Sequence, residues 1–570
     1  PVKTEDRACS AAVTSSDNYD LILGSSNHVL FGRSSHLHSL YSQWITAFCS
    51  GSVIMEKLFQ SVAENPNPQV AEIAGNIPDW VEGQLFRLGP AKWDFEEDFS
   101  LNHWLDGSAL MYKFTIRKGQ VNVMSRFLDT VAYQKICQIN RPVFTEFGTK
   151  SYPDPCKNVF SRYFSKIVPL EMTDNDMANV FMLDDELYAS SETCHIWKVD
   201  PEDLKCVQKT DIKELLSVNL ASSHPHQCPD GTVYNLGASY LSGLRYHILK
   251  ISPLSPHSLK EPKGFERASI LTSISSSQKT SFSYYHSFGL TENYILFLEQ
   301  PLLVNTVRMA ASGLKGYSLK ECFDWNPTQN TKFHLIDRVS GHEIKIKFQS
   351  EAFFFFHHIN TYEEDGHVVA DIQAFPDPEV LDKFYMSKLR LGEFAVSCQP
   401  VFTRFVLPLK TDGKKGENLV TLKNTQATAV KQDNGVVFLE PEKKGEPGYE
   451  MPTINYSMFN TKKYRYVYGS GVFETGKFAN SLIKLDNVTG EMIVWKDANT
   501  MYPSEIVYVP KPGSKEEDDG VLLSVVLDVA ADTRDFLMVL DAKNFKELGR
   551  AYVPRTVHLP PTIHGLFRRD

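Results

Sequence analysis

The sequence predicts an all-β fold, a seven-bladed β-propeller with a few helices capping one face. Short runs rich in β-branched and aromatic residues recur from Gly83 onward, and turn signals separate them. Six polar residues in strand-like settings also recur along the chain, at steps of 59 to 85 residues. A four-stranded blade commonly takes about 40 to 50 residues, so with longer loops about 500 residues give roughly seven blades.

The turn signals are four Asp-Gly pairs, which suit hairpins because tight turns need positive φ angles. These pairs begin at Asp106, Asp230, Asp365 and Asp519. Three of them precede runs that predict strands, namely Thr232–Gly237, His367–Ile372 and Val521–Leu527. Helical patterns are few, and the best candidate runs from about Val304 to Phe323. Many strands with few helices favour a sandwich, barrel or propeller over a parallel α/β sheet.

Two regions differ in composition. Residues 1–65 are rich in Ser, Asn and His and show no clear period, which predicts a variable or poorly ordered N-terminal extension. Residues 66–570 carry the repeating strand pattern and are predicted to form one domain.

Bulk composition excludes several classes of protein. The 59 basic and 69 acidic residues give a net charge of −10, which argues against nucleic-acid binding. The nine cysteines are odd in number and include no Cys-x-x-Cys pair, so neither a disulfide framework nor a zinc ribbon is indicated. The polar start and the cysteine pattern favour a reducing, cytoplasmic setting. Uninterrupted apolar runs stay short of the roughly 18 residues that a membrane span needs.

The six regularly spaced residues are four histidines and two glutamates. They are His224, His286, His357, His564, Glu442 and Glu505. A propeller brings equivalent positions of its blades to one axis, so residues far apart in sequence become neighbours. The 17 histidines of the chain also allow a regular subset by chance, and the spacing alone leaves both interpretations open.

Four histidines without a thiolate indicate a particular metal chemistry. Neutral imidazole suits iron, copper, zinc and nickel. Structural zinc usually includes thiolates, and catalytic zinc usually has three protein ligands, so four histidines fit better with a ferrous ion that keeps open positions for dioxygen. Metal-bound histidine normally donates its other N–H to a carboxylate, for which the chain offers Glu192, Glu442 and Glu505.

Two local alternatives involve neighbouring residues. His226 and Cys228 lie beside His224 and could form a zinc site, although no second Cys/His pair follows at the usual spacing. His358 adjoins His357, and because the two point to opposite faces of a strand, only one of them can be a ligand.

Ordered motifs along the chain resemble the animal carotenoid cleavage oxygenases, a family that also contains the retinoid isomerohydrolase of the visual cycle. The resemblance runs from about Ile77 to Phe567. Its motifs are Phe86-Arg-Leu-Gly-Pro90, His103-Trp-Leu-Asp-Gly107, Pro153-Asp-Pro-Cys-Lys-Asn158, Ser223-His-Pro-His226, Tyr285-His-Ser-Phe-Gly-Leu-Thr291, Phe356-His-His-Ile-Asn360, Tyr502-Pro-Ser-Glu505 and Glu517-Asp-Asp-Gly520. Within the family, Phe333–Gly341 and Ser350–Phe354 look most like the invertebrate carotenoid isomerooxygenase.

The resemblance implies a seven-bladed propeller that holds one Fe²⁺ through His224, His286, His357 and His564 and uses dioxygen as co-substrate. It places the supporting carboxylates on Glu192, Glu442 and Glu505, with Glu442 preferred to Glu440. It also implies oxidative cleavage of a carotenoid (zeaxanthin, lutein or β-carotene) at the central 15,15′ double bond to retinal, with isomerisation of one half to the 11-cis form.

The substrate is expected to lie in an apolar tunnel lined by Tyr284, Phe353 and Phe354. Eccentric cleavage at 9′,10′, retinyl-ester isomerohydrolysis and a binding protein without turnover remain alternatives on the same fold. The isomerohydrolase branch shares Cys156, whose lipidation the sequence leaves open. Because carotenoids reside in membranes, peripheral membrane contact through Val304–Leu319 and Tyr240–Leu244 is also expected.

Overall fold

The structure is a computed structural model. It describes residues 55–96, 98–155, 171–240, 243–254, 262–394, 399–471 and 478–570. The predicted N-terminal extension lies outside these residues up to position 54. Residues 55–65, however, belong to the folded domain, since Leu58 and Phe59 are buried and Asn65 pairs through backbone and side-chain hydrogen bonds with Ser125. The boundary predicted at residue 65 is therefore placed too late.

The described part of the chain contains seven main sheets of four to six strands, and these are the seven blades of a β-propeller. Blade 1 contains Gln69–Val70, Gly83–Lys92, Ser108–Arg117, Gln120–Phe127 and His564–Arg569. Blade 2 contains Asn179–Leu183, Glu186–Ser190, His195–Val199 and Cys206–Asp211. Blade 3 contains Leu220–Ala221, His226–Gln227, Val233–Ser239, Arg245–Ile251 and Ala268–Ser275.

The remaining blades follow in chain order. Blade 4 contains Gly289–Leu290, Tyr294–Glu299, Thr331–Asp337, Phe348–Ser350, Thr428–Lys431 and Val437–Glu440. Blade 5 contains Phe354–Glu364, His367–Phe375, Val401–Pro408 and Glu442–Lys444. Blade 6 contains Glu450–Thr453, Tyr466–Ser470, Leu482–Asp486 and Met492–Trp495. Blade 7 contains Glu72–Gly75, Met501–Pro503, Val507–Pro510, Gly520–Asp528, Phe536–Asp541 and Glu547–Tyr552.

Two smaller sheets accompany the blades. One contains Ser281–Ser283, Leu302–Asn305 and Phe323–Trp325, and the other contains Asp94–Phe95 and Phe99–Ser100.

The two ends of the domain close the ring of blades. The last strand, His564–Arg569, pairs antiparallel with Gly83–Lys92 in blade 1, with Leu88 opposite His564. The early strand Glu72–Gly75 pairs with Glu547–Tyr552 in blade 7. Pairing between the two ends of the domain holds the ring closed.

The pairing at the C-terminus is tight. A Cβ at Gly565 would lie 2.4 Å from the carbonyl oxygen of Phe86. Glycine is required at this position because the backbone of the partner strand comes so close.

The predicted helix at Val304–Phe323 is shorter than expected. It spans Thr306–Lys315, beginning after Asn305, whose side chain accepts hydrogen bonds from two backbone N–H groups, and ending at Gly316 with φ +71°. The flanking residues instead form the paired strands Leu302–Asn305 and Phe323–Trp325. Further helices in the described part of the chain include Val131–Ile139, Ile212–Leu216, Val380–Lys383, Met386–Leu389 and Tyr456–Phe459, with 3-10 turns at Trp104–Asp106, Gly264–Arg267 and Lys320–Cys322.

The Asp-Gly signals have different outcomes. Asp365 and Gly366 both have positive φ angles, 46° and 76°, and join two blade 5 strands as predicted. Asp106, in contrast, ends a 3-10 helix, and the following Gly107 has φ −56°. The Asp106 carboxylate accepts hydrogen bonds from the backbone N–H groups of His103 and Gly148, which explains the different local conformation.

Middle strands of the blades are buried along both faces. His367–Phe375 and Gly520–Asp528 contain only buried residues. Each blade packs against its neighbours, so these strands lack the alternating apolar and polar pattern of a sheet with one solvated face. Among the described residues, no helix has the length and apolar character needed to cross a membrane.

Candidate metal centre

Four histidines from different parts of the chain meet at one point. They are His224, His286, His357 and His564, and one ligand atom of each lies within 4.8 Å of the others. The Nε2 atoms of His224 and His286 are 2.8 Å apart, those of His286 and His357 3.1 Å, and those of His357 and His564 3.3 Å. The propeller thus brings together the four histidines among the six regularly spaced residues.

Local structure fixes where each histidine points. His357 lies within the strand Phe354–Glu364, and His564 is the first residue of the closing strand of blade 1. His224 precedes the short strand His226–Gln227, and its backbone N–H donates to Ser222 Oγ. The Ser222 hydroxyl itself donates to the carbonyl oxygen of His286, which links these two ligand positions.

Three carboxylates hold the outer nitrogens of three of these rings. His286 Nδ1 donates to Glu192, His357 Nδ1 donates to Glu450 Oε2 at 2.7 Å, and His564 Nδ1 donates to Glu505 Oε1 at 2.7 Å. With the proton on Nδ1, each of these neutral rings presents the Nε2 lone pair to the centre of the cluster. Lone pairs that converge in this way repel one another unless a cation lies among them, so the donor set fits a metal ion.

The expectation for Glu442 is wrong, and Glu450 takes that place. Glu442 lies in the outer strand of blade 5, where it accepts a hydrogen bond from the Thr425 hydroxyl at 2.6 Å. Glu450 is the first residue of blade 6, and its side chain is only 8% exposed. Residue spacing cannot separate the two, because both fall between His357 and Glu505 at blade-sized steps.

Arg87 is a further charged residue at the site that the sequence did not single out. Its guanidinium is 1% exposed and donates to Glu505 Oε2 at 2.8 Å and to Thr562 Oγ1 at 3.1 Å. Burial opposes ionisation of Glu505, but His564 and Arg87 outweigh it and hold the pKa of Glu505 below its ordinary value. The signal for this contact was the Phe-Arg-Leu-Gly-Pro motif itself, in which an arginine stands in an apolar strand.

Burial keeps the ring system neutral. It lowers the pKa of His224 and of His286 well below the usual value, and neighbouring histidines act in the same direction. Burial also raises the pKa of Glu192 to about 8, against the hydrogen bond that Tyr284 donates to it. A bound divalent cation would favour the ionised form of Glu192 through the ring of His286.

An apolar cavity reaches the four-histidine cluster. Its volume is about 260 Å³, just below the roughly 300–1,000 Å³ of common small-molecule sites. His286, His357, Glu192, Glu450 and Glu505 contribute to its wall. Most of the remaining wall is aromatic or aliphatic, including Phe147, Met309, Phe323, Phe375, Phe478 and Val525.

Of the three predicted tunnel residues, Tyr284 lines the cavity and the two phenylalanines do not. Phe353 packs between blades against Phe405, with ring centroids 5.2 Å apart. Phe354 is fully buried behind Phe356, which lines the wall in its place. Alternation accounts for Phe353, which lies an odd number of residues from Phe356 and points to the other face. Phe354 shares a face with Phe356, and Phe356 is the one of the two that reaches the wall.

The alternative zinc site at His226 and Cys228 has no support in the structure. Both ring nitrogens of His226 are engaged, one with the Tyr456 hydroxyl at 2.8 Å and one with the Phe288 carbonyl at 2.9 Å. Cys228 instead accepts a hydrogen bond from Arg338. Cys156 and residues 241–242 of the predicted membrane-contact segment lie outside the described residues.

Comparison with known proteins gives the family. The model of the retinal pigment epithelial membrane protein family matches residues 58–569. The chain belongs to this family. Membership confirms the expectation of a carotenoid cleavage oxygenase family, and the matched range covers all seven blades and the four histidines.

Relatives that are about 40% identical cover about nine tenths of the chain. A mitochondrial carotenoid-cleaving dioxygenase of Mustela putorius furo is 41% identical over 90% of this chain and 95% of its own length. A beta,beta-carotene 15,15′-dioxygenase of Gallus gallus is 41% identical over 90% of this chain and 98% of its own length. The beta,beta-carotene 15,15′-dioxygenase of Homo sapiens is 38% identical over 89% of this chain and 93% of its own length.

Solved structures share the fold. A crystal structure of a chimera of ACO and RPE65 matches with a TM-score of 0.72 at 20% identity, covering 91% of this chain and 99% of the other. A cobalt-substituted Synechocystis ACO matches with a TM-score of 0.72 at 20% identity over the same shares.

Proposed function

We propose that this chain is an Fe²⁺- and O₂-dependent carotenoid dioxygenase that cleaves the central 15,15′ double bond to give retinal. The observation that carries the proposal is the convergence of four histidine Nε2 atoms beside an apolar cavity whose wall includes two of them, His286 and His357. The metal-binding histidines therefore lie next to a cavity that suits an apolar substrate. Relatives named as carotenoid dioxygenases, at about 40% identity, support the same reaction class.

His224, His286, His357 and His564 would hold the iron. Imidazole nitrogen is a ligand that ferrous iron accepts, and the carboxylates behind three of the rings raise their basicity. The iron, when bound, supplies the activation of dioxygen that the side chains of a protein cannot provide. Glu192, Glu450 and Glu505 hold the ring orientations, and the buried Arg87 balances the charge of Glu505.

The cavity wall selects and positions the polyene. Phe356 lies beside the metal centre, with its ring 5.3 Å from that of His286, and Tyr284 donates to Glu192 at 3.0 Å. Aromatic rings fixed in this way place one double bond of a long apolar chain against the histidine cluster. A hydrocarbon-lined wall also excludes water, so the bond cleaved depends on how deep the substrate enters. Zeaxanthin, lutein and β-carotene are the proposed substrates.

Peripheral membrane contact is part of the same proposal. The helix Thr306–Lys315 exposes Val307 and Leu314, which are 62% and 63% exposed, while Met309 from the same helix lines the cavity. An apolar helix surface next to the cavity would let a membrane-dissolved substrate enter without crossing water. Liposome flotation tests this contact: the wild-type chain should float, and Val307→Ser with Leu314→Ser should reduce the floating fraction. A wild-type chain that stays at the bottom would contradict membrane contact.

Product analysis tests the reaction. The full chain is loaded anaerobically with Fe²⁺ and given β-carotene or zeaxanthin in air, and the products are separated by HPLC. Central cleavage predicts aldehydes of retinoid length, and an 11-cis form among them supports coupled isomerisation. Longer apocarotenals would show that the enzyme cleaves an off-centre double bond. With iron verified as bound, the absence of any oxygen-dependent product would overturn the dioxygenase proposal and favour ester isomerohydrolysis, which consumes no dioxygen.

A further inference from the structure

Blade 2 contains a second cluster of metal-ligating side chains. A ligand atom of Cys194, one of His195 and one of Asp211 all lie within 4.8 Å of one another. Cys194 Sγ is 3.9 Å from His195 Nδ1 and 3.8 Å from Nε2, and His195 Nδ1 is 3.9 Å from Asp211 Oδ2. The wall of the apolar cavity includes Thr193 but none of these three described residues, so the cluster is distinct from the four-histidine site.

The backbone fixes the three side chains relative to one another. His195 and Asp211 are direct partners in the antiparallel ladder of blade 2. Cys194 immediately precedes the strand that begins at His195, and its carbonyl oxygen accepts a hydrogen bond from Ile212. Asp211 Oδ1 accepts from the backbone N–H of Lys213 as the N-cap of the helix Ile212–Leu216. The carboxylate therefore has one oxygen held by the helix and the other turned towards His195.

The donor spacing resembles that of a tetrahedral metal site. Zinc lies about 2.3 Å from a thiolate sulfur and about 2.0 Å from an imidazole nitrogen, so a tetrahedral sulfur–nitrogen edge is roughly 3.5 Å. The distances from Cys194 Sγ to the ring nitrogens of His195 are only slightly longer than this edge. A small movement of the three side chains would allow all of them to contact one ion.

Charge also suits a divalent cation. A thiolate and a carboxylate together neutralise two positive charges, and imidazole is a neutral third ligand. Lys209, whose charge acts on His195, is itself paired with Asp174 at 2.9 Å. Burial and the Asp211 carboxylate raise the pKa of the Cys194 thiol to about 12, so binding a metal would release a proton from this sulfur.

We propose that Cys194, His195 and Asp211 form a second metal site, for a divalent ion that accepts sulfur and nitrogen ligands, such as Zn²⁺. The side chains of His195 and Asp211 are 11% and 24% exposed, which leaves room for water as a fourth ligand. A thiolate ligand disfavours Mg²⁺ and Ca²⁺, which take oxygen ligands. Metal binding here would tie the start of the strand His195–Val199 to the following helix, directly after Glu192 and Thr193 of the cavity wall.

Cobalt titration tests the proposal, because Co²⁺ bound to a thiolate has a sulfur-to-metal charge-transfer absorption and Co²⁺ bound only to histidines has none. Full-length chain already loaded with Fe²⁺ is titrated with Co²⁺. We expect about one further equivalent to bind with the thiolate band. Cys194→Ala should abolish the band, and Asp211→Asn should weaken cobalt binding at least tenfold. Cys206→Ala is the matched control, since Cys206 lies in the same blade outside the cluster and should keep the band.

Several outcomes would overturn the second site. These are the absence of a thiolate band from wild-type chain, a band that survives Cys194→Ala, and cobalt that merely replaces the iron. Iron content and melting temperature are measured on each variant, so that a loss through unfolding is recognised. If Cys194→Ala does not fold, the proposal is tested by the cobalt affinity of Asp211→Asn and by the number of Co²⁺ equivalents that the wild-type chain binds. The result is independent of carotenoid cleavage, because the readout is an absorption band and not product formation.

Discussion

Glu450 Oε2 lies 2.7 Å from His357 Nδ1, although the two residues are 93 positions apart in the chain. Glu450 also accepts the backbone N–H of Met451, so its carboxylate is fixed at the start of blade 6. The carboxylate in turn fixes the proton on the outer nitrogen of His357 and leaves the inner nitrogen free to bind a metal.

We therefore expect Glu450→Gln to lower iron affinity by about 10- to 100-fold, because a neutral amide orients and polarises the imidazole less well. Glu442→Gln is the matched control and should leave iron affinity unchanged, since Glu442 contacts Thr425 and none of the four histidines. Fe²⁺ titration and the iron content of purified protein measure the effect. Equal losses in the two variants would contradict the role given to Glu450.

Two neighbouring phenylalanines should respond differently to truncation. Phe356→Ala enlarges the cavity beside His286, so we expect kcat/KM to fall at least tenfold or the cleavage position to change. Phe353→Ala removes a ring packed between blades, so we expect a loss of about 3–5 kcal/mol in unfolding free energy with the product pattern retained. HPLC of products and urea unfolding separate the two effects. A changed product pattern in Phe353→Ala would argue against this division.

The C-terminal strand should serve both iron binding and ring closure. Deletion of residues 561–570 removes His564 together with the strand that pairs with Gly83–Lys92, so we expect loss of iron and a lower melting temperature. His564→Ala keeps the strand and should lose iron while the fold persists. Metal analysis and circular dichroism of both proteins test this. Full iron occupancy in His564→Ala would remove His564 from the ligand set.

We expect His334 to make a pH-dependent contribution to the free energy of unfolding. Its Nδ1 lies 2.7 Å from Glu343 and its Nε2 3.7 Å from Glu299. Burial disfavours the charged ring, but the two carboxylates outweigh it and raise the pKa of His334 from 6.5 to about 9. Because the folded-state pKa exceeds the unfolded value, the stabilisation is complete below about pH 6.5 and is lost as the pH rises through about 9.

We expect His334→Gln to reduce the free energy of unfolding by about 2 kcal/mol near pH 6 and by much less near pH 9.5. Urea unfolding of wild type and variant at both pH values provides the measurement. A loss of the same size at both pH values would show that packing against Phe297, and not charge, accounts for the effect.

Sequence patterns predicted the fold class because strand and turn chemistry are local. The Asp365-Gly366 turn and the runs His367–Ile372 and Val521–Leu527 each lie within strands or turns of the structure. The helix at Val304–Phe323 was predicted too long, because its ends are set by the Asn305 cap and Gly316 and by pairing of the flanking strands. Buried strands that lack alternation also carry no sign of which side chain meets the cavity. For this reason Phe353 and Phe354 were predicted as tunnel residues, whereas Phe356 lines the wall.

The four histidines and two of the three carboxylates could be selected from the sequence alone, because blade-sized spacing and motif context are written along the chain. Contacts between positions far apart in the chain could not be predicted from the sequence alone. Which glutamate reaches His357 depends on how blade 6 packs against blade 5, and which charge balances Glu505 depends on the closure that brings Arg87 beside the last strand. Strand spacing together with the family resemblance predicted from the sequence alone the donor chemistry and the number of blades. Only the tertiary structure decided which side chains touch, because hydrogen bonds require atoms within about 3 Å and such distances arise from packing.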